Sequence, residues 1–358
     1  MDFSEKQLRA LEIATRVSSS LSIIGTLFIV GTFLSSPDFR QPINRLVFYA
    51  SWGNLFSSVA TMISRSGIAA GETSPLCLVQ SFLIQMFIPA DALWNLAMAT
   101  NVYLSIFKKY NAIDLRKLEW RYLALCYGIP LIPAVIYLPL EVKGKGRMYG
   151  PATIWCSISK EWAVFRIATF YAPVWALMLT TFTIYALVGN KLYQARRRLH
   201  KSTIQPPKHF IQSPIRSRKT TNVENIELAS SCYDMDIKAR MDSPSMDPVE
   251  IEFCPMERGQ SSHTHDSISH SVVPESHAAR RYPQYALLFF VALICTWIPS
   301  SVNRAYVLVH PDTHSFSLNF LESLVLPSQG LWNALIYINT TRPVCRRFLR
   351  VFMGEVYL

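Results

Sequence analysis

The chain has 358 residues, of which half are hydrophobic and only 16% are charged, and its formal net charge is +11. These charges are too few for an ordinary soluble domain, so the composition favours an integral membrane protein. The positive charge does not call for a nucleic-acid partner. Residues 202–279 hold seven Lys and Arg against eleven Asp and Glu, and most of the basic excess flanks apolar stretches, where anionic lipids attract it.

Seven apolar stretches are long enough to cross a bilayer, which takes roughly 20 mostly apolar residues. Backbone polar groups must be paired internally in hydrocarbon, so each stretch is predicted to be a helix. The predicted spans are residues 17–35, 44–65, 77–107, 120–140, 162–189, 283–309 and 318–340. The predicted fold class is therefore an all-α integral membrane protein, a bundle of seven transmembrane helices.

Lys and Arg residues near the span ends predict the orientation, because they favour the cytoplasmic side. With the N-terminus outside, the inner segments carry eighteen of these residues and the outer segments carry seven, although the outer loop between spans four and five is basic. The opening residues have no small-residue cleavage site, which argues against a cleavable signal peptide. The predicted parts are an extracellular N-terminus (1–16), helices one to five (17–190), a third cytoplasmic loop (191–281), helices six and seven (282–340), and a cytoplasmic tail with an amphipathic helix (341–358).

The long loop is rich in Ser, Thr, Pro, His and acidic residues and shows little apolar periodicity. Such a segment buries too little surface to offset its ordering entropy, so we expect it to be largely disordered. Ser202, Ser213 and Ser243 are candidate phosphorylation sites in it.

The seven cysteines divide by predicted compartment. Cys77 and Cys156 are the two placed on the oxidising side, which predicts a disulfide between them. Cys345 lies in a short basic amphipathic stretch, where palmitoylation and a plain interfacial helix are both open interpretations. The other four are predicted to be small core residues (Cys126, Cys295) or reduced cytosolic thiols (Cys232, Cys254).

Four ionisable residues fall near the outer ends of the predicted spans: Arg65, Arg166, Arg304 and Glu322. Ionisable groups at membrane depth are costly and point to function by default. Two interpretations are open: the groups snorkel or pair with one another, or they line an outward-opening ligand pocket. Three arginines against one glutamate would suit an anionic or strongly polar ligand.

Further polar residues lie near mid-membrane: Asn54, Asp91, Asn95, Gln329 and Asn333. Asp91 and Asn95 are one helical turn apart and share a face. The five could form one interior network, either purely structural or acting as a switch or ion site.

Three prolines mark possible helix kinks: Pro173, Pro299 and Pro327. Trp297 lies two residues before Pro299, and a bulky side chain beside a kink can act as a lever between two helix bends, although kinks are also common static features. We assign Trp297 and Pro299 to the same candidate switch as the mid-membrane network.

The basic residues of the predicted inner rim are candidates for coupling to a cytosolic partner helix; alternatively, they only set topology. They are Lys108, Lys109, Arg196, Arg197, Arg198, Arg280 and Arg281.

These features together resemble a known family. Seven spans with the N-terminus outside, the Cys77–Cys156 pair and the long loop between the fifth and sixth spans look like a G-protein-coupled receptor. The stretches CTWIPSSVNR, LPSQGLWNALIYINT and DALWNLAMATNVYLSIFKKYN are similar to the cyclic-AMP-receptor-like group of slime moulds and filamentous fungi. The rhodopsin-type acidic-Arg-aromatic signature is absent, since IFKKY stands there, and Ala334 replaces the rhodopsin-type proline.

The resemblance implies a plasma-membrane receptor that senses an extracellular small molecule, such as a nutrient or a cyclic nucleotide, and activates a heterotrimeric G protein, feeding cyclic AMP signalling. It implies no cofactor and no metal. The alternative class is a seven-span small-solute transporter, although we find no internal repeats. A retinal protein is excluded because residues 318–340 contain no lysine, and an enzyme is disfavoured because the spans hold one Asp and no His.

Overall fold

The computed structural model describes residues 3–204, 277–310 and 315–352. Most of the predicted disordered loop, with Ser213, Ser243, Cys232 and Cys254, lies outside the described residues. Ser202 falls within a helix, but its side chain lies outside those described.

The described residues are mainly helical. The α-helices are α1 (Glu5–Ser35), α2 (Pro42–Ile63), α3 (Ser66–Ala69), α4 (Pro75–Phe107), α5 (Ala112–Arg116), α6 (Glu119–Ile136), α7 (Ala163–Arg166), α8 (Ala172–Ile204), α9 (His277–Val309), α10 (Phe316–Val325), α11 (Gln329–Thr340) and α12 (Arg342–Phe352). Shorter helical pieces are the 3₁₀ turns Pro37–Phe39, Lys160–Trp162 and Leu326–Ser328 and the π-helical segment Ile167–Tyr171. The strands are β1 (Glu141–Val142), β2 (Gly146–Arg147), β3 (Tyr149–Pro151) and β4 (Cys156–Ile158).

Within the described part of the chain, five helices are long and apolar enough to cross a membrane: Glu5–Ser35, Pro42–Ile63, Pro75–Phe107, Lys160–Ala195 and Ala286–Val309. They coincide with five of the seven predicted spans, and the chain is an all-α membrane protein. The fourth predicted span forms the shorter helix α6, which contains two prolines. The seventh is divided into α10, a 3₁₀ turn and α11, neither helix reaching the length of a span.

The first helix begins earlier than its apolar stretch. Residues 1–16 were predicted as an N-terminal segment preceding the first helix, but α1 starts at Glu5. Ser4 and Gln7 form a capping box, in which each side chain accepts a hydrogen bond from the other's backbone N–H. The cap, rather than hydropathy, sets this helix start. The extracellular segment 1–16 stays a prediction, since a helix can extend beyond the membrane.

Two of the three predicted kink prolines lie at irregular backbone. Pro173 follows the π-helical segment Ile167–Tyr171, and Pro327 lies in the 3₁₀ turn between α10 and α11. Pro299, by contrast, lies inside α9, whose α-helical assignment continues through it. Proline removes a backbone hydrogen bond from a helix. Of these three prolines, Pro173 and Pro327 lie at or beside a change of helix type, and Pro299 does not.

Helix α1 packs against α11 through small residues. A Cβ added to Gly25 would lie 2.9 Å from the Ala334 Cβ, and one added to Gly330 would lie 2.3 Å from the Thr26 hydroxyl. Ser22 accepts a hydrogen bond from the Gly330 N–H at 2.9 Å. The helix backbones approach this closely because glycine has no side chain, a common device in membrane helices.

We call the end of the helices that carries Cys77 and Cys156 the disulfide end. The predicted disulfide is confirmed, and it ties β4 to the start of α4. The loop there folds as two antiparallel hairpins, β1–β2 and β3–β4, which the sequence did not predict. A small buried cluster supports them, comprising Tyr137, Met148, Tyr149, Ile158 and Trp162. Burial raises the pKa of the Tyr149 phenol, which donates a hydrogen bond to the Ala134 carbonyl.

The opposite end is the basic end, at the junction of α11 and α12. Cys345 there is buried, and its sulfur lies 3.4 Å from the Thr341 hydroxyl. The thiol therefore faces the protein, which favours the interfacial-helix interpretation over palmitoylation. Phe348 of α12 packs against Phe39, holding this helix to the basic end.

Substituting Gly330 with alanine is expected to destabilise the protein, because the added methyl meets Ser22 and Thr26. Overpacking of this kind costs about 1–3 kcal/mol, so thermal unfolding of the detergent-purified protein is expected about 2–10 °C lower. Gly31→Ala is the matched control, since nothing lies within 4 Å of its added Cβ. Equal melting temperatures for the two variants would contradict close packing at Gly330.

Replacing either disulfide cysteine with alanine is expected to lower the amount of protein at the cell surface. Loss of a disulfide that closes a long loop costs about 2–4 kcal/mol. The double variant is expected to match the single ones, because either substitution already removes the bond. Cys295→Ala is the control, as this free cysteine is exposed. Normal surface levels for Cys77→Ala would refute a stabilising role.

Candidate functional site

The centre of the candidate site is Glu322 of α10, whose side chain is fully buried at the disulfide end. Its carboxylate accepts hydrogen bonds from Ser300 at 3.1 Å, from Arg304 at 3.2 Å and from the Asn303 amide. Ser300, Asn303 and Arg304 come from successive turns of α9 and therefore share one face. The buried negative charge is thus met by a guanidinium and two neutral donors.

Tyr171 extends this cluster to the fifth predicted span. Its hydroxyl accepts a hydrogen bond from the Arg304 Nε at 2.9 Å and lies 3.1 Å from the Ser300 hydroxyl. Tyr171 ends the π-helical segment that precedes α8. We call Tyr171, Ser300, Asn303, Arg304 and Glu322 the outer cluster. It connects three helical segments through charge-assisted hydrogen bonds, which are stronger than neutral ones.

A cavity of about 20 Å³ adjoins the outer cluster, which is room for one or two waters. Arg166, Tyr171 and Arg304 line it together with Gln85 of α4 and Trp155 of the hairpin loop. The nearby strand β4 contributes Ser157 and Ile158, so the disulfide-anchored loop forms part of the wall. A ligand larger than a few waters requires these side chains to move apart.

Two donors on the cavity wall have no hydrogen-bond partner among the described residues, Arg166 Nε and Gln85 Nε2. Arg166 is held in place by a second contact, from its Nη2 to the Ile158 carbonyl. Arg304 forms an ion pair with Glu322. Arg166, by contrast, has no carboxylate within salt-bridge distance among the described residues, so its positive charge is not balanced there. Buried donors of this kind favour a ligand with hydrogen-bond acceptors or a negative charge.

The structure brings together three of the four predicted ligand-pocket residues. Arg166 and Arg304 line the cavity, and Glu322 pairs with Arg304. Arg65 is half-buried at the start of α3 and is not among the cavity-lining residues. Of the two interpretations offered for these residues, the arginine–glutamate pairing is present, while the ligand role is a proposal.

The predicted mid-membrane network is partly assembled. The Asn95 amide lies 3.3 Å from the Asp91 carboxylate, and the amides of Asn54 and Asn333 are close enough to interact with it. Gln329 is buried, but its Nε2 has no hydrogen-bond partner among the described residues.

Trp297 packs beside Tyr171 of the outer cluster. Its ring centroid is 5.8 Å from that of Phe170 and 6.1 Å from that of Tyr171. Its neighbour Pro299 lies on the same helix, between Trp297 and Ser300.

The predicted coupling residues lie at helix ends. Lys108 ends α4, and Lys109 follows it with a positive φ of 58°, in the left-handed conformation common after helix ends. Arg197 and Arg198 are exposed on α8. The side chains of Arg196, Arg280 and Arg281 lie outside those described.

Sequence reasoning missed an ion pair near the basic end. Arg45 of α2 makes two 2.6 Å hydrogen bonds to the Glu119 carboxylate at the start of α6, and the Tyr49 hydroxyl donates to the same carboxylate at 2.9 Å. In the sequence, Arg45 is one of the eighteen basic residues of the predicted inner segments, which indicate only the orientation. The opposite charges at the adjoining ends of two predicted helices would have suggested the pair.

The neutral members of the outer cluster, Tyr171, Ser300 and Asn303, were also missed. Ser300, Asn303 and Arg304 follow an i, i+3, i+4 spacing, and Asn319, Glu322 and Ser323 repeat it on the neighbouring helix. Asn303 donates to the Asn319 side-chain oxygen at 3.2 Å. Polar residues at this spacing on two neighbouring apolar helices predict a buried hydrogen-bond network between them.

Apolar helices of membrane-spanning length, joined by buried polar networks, define a helical membrane protein, and comparison with known proteins gives its family. The profile described as "Slime mold cyclic AMP receptor" matches residues 4–205. The chain belongs to this family.

Three relatives of the chain are named as receptors. The chain is 23% identical over 193 residues to cyclic AMP receptor-like protein A of Dictyostelium discoideum, covering 54% of this chain and 48% of that protein. It is 26% identical over 182 residues to G-protein coupled receptor 1 of Arabidopsis thaliana, covering 50% and 52%, respectively. It is 32% identical over 136 residues to cyclic AMP receptor-like protein E of Dictyostelium discoideum, covering 37% and 41%. The chain thus spans about half the length of these relatives or less.

Breaking the Arg304–Glu322 pair is expected to destabilise the protein strongly. Arg304→Met leaves the Glu322 carboxylate buried without a cation, which costs about 3–5 kcal/mol. The double variant Arg304→Met/Glu322→Leu is expected to recover most of that loss, because neither charge is left buried. Thermal unfolding of the purified variants measures both.

Lys117→Met is the control, since its pair with Asp114 is largely exposed. It is expected to change the stability by less than about 1 kcal/mol. A melting temperature for Arg304→Met equal to that of Lys117→Met would contradict a stabilising role for the buried pair.

Proposed function

We propose that this protein is a multi-pass plasma-membrane receptor with seven spans, which binds an extracellular small molecule at the disulfide end and activates a heterotrimeric G protein at the basic end. The G protein's Gα subunit is proposed to feed cyclic AMP signalling. The main support for this proposal is the cavity beside the outer cluster. Hydrogen-bond donors of Arg166 and Gln85 on its wall have no partner among the described residues.

Seven spans are supported by the lengths of the two helical regions that fall short as single helices. Helix α6 has 18 residues and is therefore about 27 Å long, close to the hydrocarbon thickness of roughly 30 Å. Helices α10 and α11, with the 3₁₀ turn between them, run without interruption from Phe316 to Thr340. A broken helix can cross the bilayer where it is buried in protein, and Glu322, Pro327 and Asn333 are all buried.

An N-terminus outside places the Cys77–Cys156 disulfide in an oxidising compartment, where such bonds persist. It places the basic end, with Arg40, Lys108 and Arg347, against the anionic inner leaflet. The chemistry of the two ends therefore supports the same orientation.

The proposed ligand carries a negative charge or several acceptor groups, such as a polar nutrient or a cyclic nucleotide. Arg166 is its proposed anchor, with Arg304 and Glu322 beside it. Arg65, which does not line the cavity, stays a predicted ligand residue. Ligand entry separates β4 from Arg166, and the hydrogen bonds of Tyr171 and Arg304 would carry that change to α8 and α9. Both helices lead to the basic end, where Lys108, Lys109, Arg196, Arg197, Arg198, Arg280 and Arg281 are the proposed contacts for Gα.

The test combines two assays on the same protein. Cells expressing the receptor with a cyclic AMP reporter are screened against cyclic nucleotides, sugars and amino acids, and active compounds are tested for Gα nucleotide exchange in membranes. The proposal expects exchange to be stimulated. Solute flux in proteoliposomes without any stimulated exchange would instead favour the transporter alternative.

Arg166→Gln is expected to weaken the response to the active compound. Hydrogen bonds to a charged group contribute about 1.5–3 kcal/mol, so the half-maximal concentration is expected to rise roughly 10–100-fold. Arg147→Gln is the matched control, because Arg147 lies in the exposed β1–β2 hairpin, paired with Glu141. An unchanged potency for Arg166→Gln at normal surface level would refute the anchor.

The candidate switch is proposed to comprise Asn54, Asp91, Asn95, Trp297, Pro299, Gln329 and Asn333. Asp91→Asn is expected to change basal activity or potency at near-normal surface expression, because it removes the charge and keeps the shape. A receptor needs such a two-state element between its ligand site and its partner site. If basal and ligand-driven nucleotide exchange on Gα both stay at the wild-type level, the switch role is refuted and Asp91 is a packing residue.

A further inference from the structure

The residue that ends α2 has a strained backbone. Ser64 is fully buried, and its φ and ψ angles are 49° and −133°. This conformation mirrors the β region, which glycine adopts readily and in which the Cβ of any other residue is crowded. The Ser64 hydroxyl does not relieve the strain, because it has no hydrogen-bond partner in the part of the chain that the structure describes. Contacts from elsewhere must therefore hold Ser64 in place.

Gln80 of α4 supplies these contacts. Its side chain is fully buried, and its Nε2 donates hydrogen bonds of 3.0 Å to the carbonyls of Ala60 and Ser64. The Ser64 N–H donates to the Thr61 carbonyl at 3.0 Å, so both backbone polar groups of Ser64 are paired. Because the ψ angle sets the direction of a carbonyl, the hydrogen bond from Gln80 holds Ser64 in its strained conformation.

The same side chain also binds strand β4. Its Oε1 accepts a hydrogen bond from the Cys156 N–H at 2.9 Å. Cys156 begins β4, and the next two residues, Ser157 and Ile158, line the cavity. Gly67 makes room for the amide, since a Cβ added there would lie 2.2 Å from the Gln80 Oε1. Gln80 therefore joins the wall of the cavity to the strained end of α2.

The donor and the acceptor of Gln80 belong to one planar carboxamide. A pivot of β4 that moves the Cys156 N–H therefore turns this group or breaks one of its hydrogen bonds, and the Ser64 carbonyl is then no longer held. The Cys77–Cys156 disulfide keeps β4 beside α4, so the strand can pivot there but cannot leave. We infer that Gln80 is a positioning residue that couples the cavity wall to the end of α2, and that ligand binding releases the strain at Ser64. The second step rests on the proposed function.

The first test compares glycine with alanine at position 64 in the purified full-length protein in detergent. Both variants lack the buried hydroxyl, but only alanine keeps the strained Cβ. Ser64→Gly is expected to melt roughly 2 °C above Ser64→Ala, because strain of this kind exceeds the entropic cost of glycine. Ser36 is the matched control, since it follows α1 with an ordinary φ of −137°, and glycine there is expected to melt lower than alanine. Ser64→Gly melting at or below Ser64→Ala overturns the inference.

The second test asks whether Gln80 holds the strain. Gln80→Met removes the amide, so the Ser64 carbonyl is free to turn and the advantage of glycine over alanine at position 64 is expected to disappear. An undiminished advantage in this background overturns the role of Gln80. If Gln80→Met does not yield folded protein, Gln80→Glu takes its place, because it keeps the acceptor for the Cys156 N–H and loses the Nε2 donor.

Ligand potency separates a switch from strain that is merely structural. If ligand binding releases the strain, that release favours binding in Ser64→Ala, whereas Ser64→Gly has no strain to release. For a compound active in the cyclic AMP screen, the half-maximal concentration is expected to be about fivefold higher for Ser64→Gly than for Ser64→Ala at equal surface level. Equal potencies overturn the release step. The melting comparisons need neither ligand nor G protein, so failure of this inference and failure of the proposed function are distinguishable.

Discussion

A polar group that enters hydrocarbon without a partner costs several kcal/mol, and this constraint determines where the side chains of this protein lie. Hydroxyl groups of α1 face neighbouring helices, where Ser19 meets Thr61 and Ser22 accepts from Gly330. On the other side of the same helix, Ile24 and Leu27 are exposed. Hydrogen bonds and close packing therefore favour helix association, because lipid covers apolar surface equally well.

The same constraint produces an ion pair towards each end of the helices. Arg45 and Glu119 join α2 to α6 near the basic end, and Arg304 and Glu322 join α9 to α10 near the disulfide end. Each pair recruits a tyrosine hydroxyl, Tyr49 in the first case and Tyr171 in the second. Removing one partner of a buried ion pair destabilises the folded protein, because the other charge is left buried and unpaired. Both pairs therefore fix the relative position of the helices that they join.

The positions of the spans were predictable because hydropathy and helix length are local properties of the sequence. Five helices of membrane-spanning length and composition coincide with predicted spans, and the Cys77–Cys156 bond follows from compartment alone. Helix ends were less predictable. The cap at Ser4 extends α1 far beyond its apolar stretch, and Pro327 interrupts the seventh span.

The sequence predicted the charged residues of the candidate site but not the neutral residues that contact them. Arg166, Arg304 and Glu322 stand out in an apolar sequence because ionisable residues are rare at membrane depth. Tyr171, Ser300 and Gln85 do not, because hydroxyls and amides are common in such helices and only the fold shows which of them face one another. Arg65 was predicted to line the pocket but does not, because a position near a span end does not specify the direction in which a side chain points.

The packing of α1 on α11 has a consequence for how this sequence can vary. At Gly25 and Gly330 no larger side chain fits without moving a helix, so few residues are acceptable there. On α8, positions such as Leu179 and Phe182 are more than half exposed, and any apolar side chain would serve. Substitutions should therefore accumulate unevenly among members of the family, sparsely where α1 meets α11 and freely along the outward face of α8.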